Sequence, residues 1–130
     1  MNIPLRIRNL IARHDTANPY RIAKELKIEI IFTKTPSRVH GFWRRILRRK
    51  IIYIDETLSE DWQIKAVISH EIGHILLHPK YAYYCMSERT YLANSRKEDE
   101  ADRFSAELLS YCCSLEKEYV LDFLKNSWKT

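Results

Sequence analysis

The sequence predicts an α+β protein, and three observations carry that prediction. Apolar residues recur at helical spacing in two segments before residue 27 and in three after residue 58. Between them, from 28 to 54, apolar residues alternate or bunch in short β-branched runs. Strands grouped in the middle of the chain, with helices grouped on either side, are the α+β order and not the alternating α/β order. The chain has 130 residues, 45% hydrophobic and 30% charged, with only two Gly and four Pro. That is enough to bury a core without disulfide or metal support, and it excludes collagen-like, low-complexity and wholly disordered classes. No repeat or linker interrupts it, so residues 1–130 are expected to form one domain.

Ile3, Ile7, Leu10 and Ile11 lie on one face of a first helix, which His14-Asp15-Thr16-Ala17 ends. Asn18 is an N-cap and Pro19 a first-turn residue, so a second short helix follows with Ile22, Ala23 and Leu26 on its apolar stripe. Ile28, Ile30 and Phe32 alternate with Glu29, Ile31 and Thr33 in a strand that Thr35-Pro36 closes. A hairpin is expected next, with arms Val39–Ile46 and Ile51–Ile54 and Arg48-Arg49-Lys50 near its turn. Ser59 should cap a long helix, with Glu60 and Asp61 favouring its dipole. Trp62, Ala66, Val67 or Ile68, Ile72, Ile75 and Leu76 supply its buried positions, and His78-Pro79 stops it. After an aromatic connection from Tyr81 to Asn94, helices are expected over about 97–112 and 115–128.

The formal net charge is +5, and Arg44, Arg45, Arg48, Arg49 and Lys50 supply much of it. Such a cluster favours acidic partners. No nucleic-acid-binding motif accompanies it, however, so a solvated hairpin edge is the better reading and no direct nucleic-acid contact is expected. Ile22–Leu26 looks like the first helix of a helix-turn-helix, but a strand follows where a recognition helix would stand. Three cysteines without a CxxC exclude a cysteine zinc ribbon and fit reduced thiols. No apolar run spans a membrane, and the charged N-terminus is unlike a signal peptide, so the expected location is cytoplasmic.

One motif carries chemistry: His70-Glu71-Ile72-Gly73-His74, an HExxH on the long helix. Two His four residues apart differ by about 40° and one turn, so both imidazoles can chelate one ion, and imidazole suits zinc. Glu71 projects one step around and can reach a metal-bound water as general base without being a ligand. The flanks agree: Val67, Ile68, Ser69, Ile72, Gly73, Ile75 and Leu76 are uncharged, as a helix burying an ion requires. Gly73 costs about 1 kcal/mol in a helix interior, so it marks a close backbone approach.

A catalytic zinc site needs a third protein ligand. His78 shares the stripe of His70 and His74, but it stands two turns, about 12 Å, from His70, and it reads instead as a C-terminal His favouring the dipole. Leu77 and Lys80 stand where a metzincin would have Gly and His. Downstream, Glu98 and Asp102 are four apart on the next predicted helix. One can ligate and the other can orient a ligand His from outside. Ser95-x-x-Glu98 also reads as a capping box. Glu100 competes as ligand, but only Glu98 has an Asp one turn on. Cys112 and Cys113 suit packing, whereas Cys85 lies in a connection that can approach the metal.

His70-Glu71-Ile72-Gly73-His74 followed by Glu98, Asp102-Arg103-Phe104-Ser105-Ala106-Glu107-Leu108-Leu109 resembles the ImmA/IrrE family of metallopeptidases. The upstream Asn18-Pro19-Tyr20-Arg21-Ile22-Ala23, Gly41 and Ile52-Tyr53-Ile54-Asp55 resemble it too, so the likeness runs from about residue 16 to 110. The resemblance implies a minimal, thermolysin-like zincin fold with a small antiparallel or mixed sheet. It implies zinc on His70, His74 and Glu98, Glu71 as catalytic base and Asp102 supporting a ligand. It also implies intracellular hydrolysis of a peptide bond in a protein target, often a transcriptional repressor of a mobile element or stress response. Ser110-Tyr111 stands where the family usually has Pro after its Leu-Leu.

The alternative of another class is a zinc-containing interaction module that binds a regulator without cutting it, but such a module has no need of Glu71. For an endopeptidase, the Val39–Ile54 hairpin is the expected sheet edge for an extended substrate, its cations blunting that edge and favouring acidic targets. Tyr81, Tyr83, Tyr84 and Tyr91 are candidates to donate to an oxyanion.

Overall fold

The computed structural model describes residues 1–36, 39–80 and 95–126. Among these residues the order is α1 (Ile3–His14), α2 (Pro19–Glu25), β1 (Ile28–Thr33), β2 (Gly41–Ile46), β3 (Arg49–Asp55), α3 (Asp61–Leu77), α4 (Ser95–Cys112) and α5 (Lys117–Asn126). This is the α+β order expected. The Tyr81–Asn94 connection, with its four tyrosines and Cys85, lies outside the described residues.

Local chemistry sets most of the boundaries. Asn2 and Asn18 cap α1 and α2 by accepting from Leu5 N and Tyr20 N, with Pro in the first turn of each helix. Asp15 closes α1 in the left-handed region at φ 55°. The long helix starts later than Ser59 would have it. Glu60 is its N-cap and makes no side-chain cap bond. The next helix begins at Ser95, so Ser95 and Glu98 form no capping box ahead of it, and Glu98 turns inward instead.

The sheet is mixed, in the order β1-β3-β2. β1 runs parallel to β3, pairing Ile28 with Lys50 through Thr33 with Asp55, and β2 runs antiparallel, pairing Gly41 with Ile54 through Ile46 with Arg49. The hairpin turn is tighter than expected. Leu47, at φ 56°, and Arg48 make it, while Arg49 and Lys50 already belong to β3. The alternation in β1 does not bury its apolar face along its length, and Phe32 is exposed.

The main core lies between the sheet and α3, where Trp43, Ile52 and Ile54 meet Val67, Ile68, Ile72 and Ile75, with Ile3, Ile7, Ile22 and Phe104 closing the sides. A second cluster joins α3, α4 and α5 through Ala66, Ala106, Leu109, Val120 and Leu124. Helix α3 is therefore covered all round from Ala66 to Ile75. Leu76, expected inside, is 38% exposed. Gly41 lets β2 cross α3 closely, since a Cβ there would stand 2.5 Å from Val67 Cγ1 and 2.8 Å from the Tyr53 carbonyl oxygen.

Candidate metal centre

Helix α3 presents His70 and His74 one turn apart, and α4 brings Glu98 against both. His70 Nε2 lies 3.1 Å from Glu98 Oε1, His74 Nε2 lies 3.1 Å from Glu98 Oε2, and the two Nε2 atoms are 3.1 Å apart. All three side chains are buried. Among the described residues this is the group of His, Cys, Asp or Glu side chains able to share an ion. Tetrahedral bonds of about 2.0–2.1 Å place ligand atoms about 3.3–3.4 Å apart, so the three donors already stand near ligand spacing. Two imidazole nitrogens and a carboxylate are lone-pair donors that repel unless a proton or cation is shared among them. The donor set thus fits a metal ion of the zinc type.

The outer sides of the ligands are tied as well. His70 Nδ1 stands 2.9 Å from Asp102 Oδ1, although the approach is off the line of an ideal hydrogen bond. An ionised carboxylate only accepts, so His70 carries a proton on Nδ1, which leaves Nε2, beside Glu98 and His74, as the nitrogen available to an ion. Asp102 thus lies beside His70 on the side away from the other two donors. His78 stands at the C-terminus of α3, as expected, and there it makes a pairing with Glu100 that the sequence did not show. His78 is buried, with Nδ1 3.1 Å from His74 Nδ1 and Nε2 2.8 Å from Glu100 Oε1. Glu100, the competing ligand of the sequence reading, lies 200° around α4 from Glu98 at 100° per residue, and it engages His78 instead.

Charge and burial set the protonation. Burial would lower the basicity of His70, but the bonds to Asp102 and then Glu98 outweigh it and hold this imidazole well above its ordinary range. Burial pushes His74 down to about 4, against the hydrogen bond that its protonated ring would donate to Glu98. Burial would raise Glu98, yet His70 and His74 hold its carboxylate far below the usual range. Glu71 is the odd member. Its Oε2 is 3.9 Å from His70 Nε2, beyond ligand spacing, and its Oε1 has no hydrogen-bond partner among the described residues. Burial chiefly raises Glu71 to about 8, against the pull of His70.

Two contacts lock α3 on α4, of which sequence reasoning missed the first and expected the second only as a close approach at Gly73. Ser105 Oγ donates to the Ala66 carbonyl oxygen at 2.7 Å, and Phe104 packs on Gly73. Ser105 falls seven residues, two turns, beyond Glu98, and that spacing was its available signal. Cys112 and Cys113 are free thiols packed against the second cluster, and burial pushes Cys112 up to about 12.

A small mixed sheet behind a buried HExxH helix, with a carboxylate from the following helix, defines the zincin class. The chain belongs to the IrrE N-terminal-like domain family of peptidases, whose pattern it matches over residues 23–129. It is 35% identical over 103 residues to "Uncharacterized immunity region protein 2" of Bacillus phage phi105, a match that takes in 79% of this chain and 65% of that protein. The chain thus spans less than two thirds of that relative's length. No solved structure matches it. No helix among the described residues is long and apolar enough to cross a membrane.

Proposed function

We propose that this chain is a single-domain, cytoplasmic zinc endopeptidase that hydrolyses a peptide bond in a protein target, and that the target is a transcriptional regulator. The convergence of His70, His74 and Glu98 beside a buried, non-ligating Glu71 is the observation that supports the reading most. His70, His74 and Glu98 would hold the zinc, which supplies an activated water and a polarised carbonyl when bound. Asp102 orients His70 by accepting from its Nδ1. Glu71 takes the water's proton on its carboxylate, holds it in a buried site, and returns it to the leaving amine. The name of the phage relative, an immunity region protein, supports a regulator as target.

The substrate edge in this reading is β2, which among the described residues pairs only with β3. Gly41 abuts Val67, one helical turn before His70, so an extended chain added along β2 would run past the centre. Metal analysis paired with digestion of the regulator encoded beside this protein tests the proposal. The parent is expected to carry one zinc and cut the regulator, and Glu98→Gln to lose both properties. A protein that binds zinc and the regulator without cutting it would be the interaction module instead.

A further inference from the structure

We propose that His78 and Glu100 are positioning residues for the metal centre, a two-residue relay that fixes which nitrogen His74 offers to the ion. The inference rests on the metal-site reading above and adds a role for two residues outside it.

The relay runs from the carboxylate inward. Glu100 Oε1 is 2.8 Å from His78 Nε2, and Glu100 Oε2 also has Arg96 Nε at 3.9 Å. A carboxylate only accepts, so His78 carries its proton on Nε2 and offers Nδ1 as a lone pair. That lone pair faces His74 Nδ1 at 3.1 Å, so His74 donates from Nδ1. Nε2 of His74 then faces Glu98 Oε2 and His70 Nε2 unprotonated, as a ligand nitrogen must. The opposite tautomer of His74 would set two lone pairs against each other at Nδ1 and a proton where the ion belongs. The two ligand imidazoles are therefore held in parallel ways, His70 by Asp102 directly and His74 by Glu100 through one extra ring.

Phase explains why the extra ring is there. Glu98 and Asp102 share a face of α4, and Glu100, 200° from Glu98, cannot reach His74 itself. His78, one turn beyond His74 on α3, bridges the difference. It is the C-cap of α3, where His78 N donates to the His74 carbonyl oxygen at 2.7 Å, and that bond fixes its backbone beside the ring it supports.

The test is zinc affinity by chelator competition, with the Co(II) absorption spectrum as a report on ligand geometry and the melting temperature of the metal-free protein as the structural control. His78→Phe keeps a ring of similar size and removes both nitrogens. Glu100→Gln keeps the size and an acceptor oxygen but loses the charge. His78→Phe is expected to weaken zinc binding about 10–100-fold, the range for groups that orient ligand histidines, and to alter the Co(II) spectrum. Glu100→Gln is expected to weaken it by less, while both variants melt close to the parent. Zinc affinity within twofold of the parent in both variants, with an unchanged Co(II) spectrum, would overturn the relay and leave the metal centre standing. Failure of the parent to bind zinc would overturn the metal-site reading and the relay with it. Should His78→Phe fail to fold, Glu100→Gln decides alone: weaker zinc binding at an unchanged melting temperature supports the relay, and parental affinity overturns it.

Discussion

Gly73 and Phe104 set the distance between the two helices that build the metal centre. A Cβ on Gly73 would stand 3.1 Å from Phe104 Cγ and 3.2 Å from its Cβ and Cδ1. Gly73 lies between His70 and His74, and Phe104 lies beyond Glu98 and Asp102 on the facing helix, so this contact governs how deeply the acids reach. Gly73→Ala gains about 1 kcal/mol of helix propensity, but overpacking costs about 1–3 kcal/mol. The expected result is a small net loss of stability, together with a fall of about tenfold in zinc affinity as the acids draw back, the scale seen when a ligand's support is disturbed. Thermal melts and zinc titration check it. Unchanged zinc affinity would show that the spacing has slack.

Glu71→Gln separates binding from chemistry. The amide has the same shape, and at 3.9 Å from His70 Nε2 the native carboxylate is outside the ligand set. It also removes a buried carboxyl group that is costly to ionise, since burial raises Glu71 to about 8. The variant is expected to keep its zinc, melt at or slightly above the parent, and lose cleavage by at least the 10²–10⁴-fold typical of a general base. Turnover comparable to the parent would remove Glu71 from the mechanism.

Much of this was legible in the residues because the signals were local. HExxH spacing, the uncharged flanks of α3, the Asn18-Pro19 start of α2 and the Glu98/Asp102 pair each state their geometry within one or two helical turns. The strand order was not legible. Periodicity reveals β1, β2 and β3, but only the closed core shows that β3 lies in the middle, parallel to β1. The pairing of His78 with Glu100 was not legible for a related reason. Each sits at a helix end where a dipole or ligand role is a sound local reading, and their pairing depends on how α3 and α4 lie across each other, 22 residues apart in sequence. The same holds for Arg49, which looked like part of a hairpin tip and instead grips Glu29 of β1 through Nε at 2.7 Å and a second nitrogen at 2.8 Å.

The response to pH should differ between the metal-free and zinc-loaded protein. Glu71 and His70 are both raised above their ordinary values in the metal-free fold. Between the unfolded and folded values of each group, the folded chain holds a proton that the unfolded chain has released, so stability falls as pH rises. For Glu71 that window runs from 4.5 to about 8, and for His70 from 6.5 upward. His74, lowered to about 4, acts the other way between 4 and 6.5, so the clear decline begins above 6.5. The metal-free protein should therefore melt a few degrees lower at pH 8 than at pH 6.5. Zinc must displace the His70 proton, so its affinity and its stabilising effect should grow over the same interval. Melts with and without saturating zinc across pH 6–9 measure both trends. A zinc-induced shift that does not change with pH would mean that no proton is exchanged at His70.

The hairpin offers the last prediction, and the structure changes which residues carry it. An extended target pairing along β2 would pass Arg44 and Arg45 and approach the turn at Arg48, and all three are exposed. Arg49 is committed to Glu29, so reversing its charge would break a bidentate pair across the sheet and confuse stability with recognition. Arg44 and Arg48 are the cleaner probes. If these cations favour acidic side chains on the target, Arg44→Glu with Arg48→Glu should leave zinc content and melting temperature unchanged and slow cleavage of an acidic target. Exposed charges are screened over about 10 Å at 0.1 M salt and about 3 Å at 1 M, so the defect should be large at low salt and shrink toward parental rates at high salt. A target with its acidic residues neutralised should be cut equally by parent and variant. A defect independent of salt, or no defect with the acidic target, would return these arginines to the role of blunting the edge strand, which requires only that they be charged.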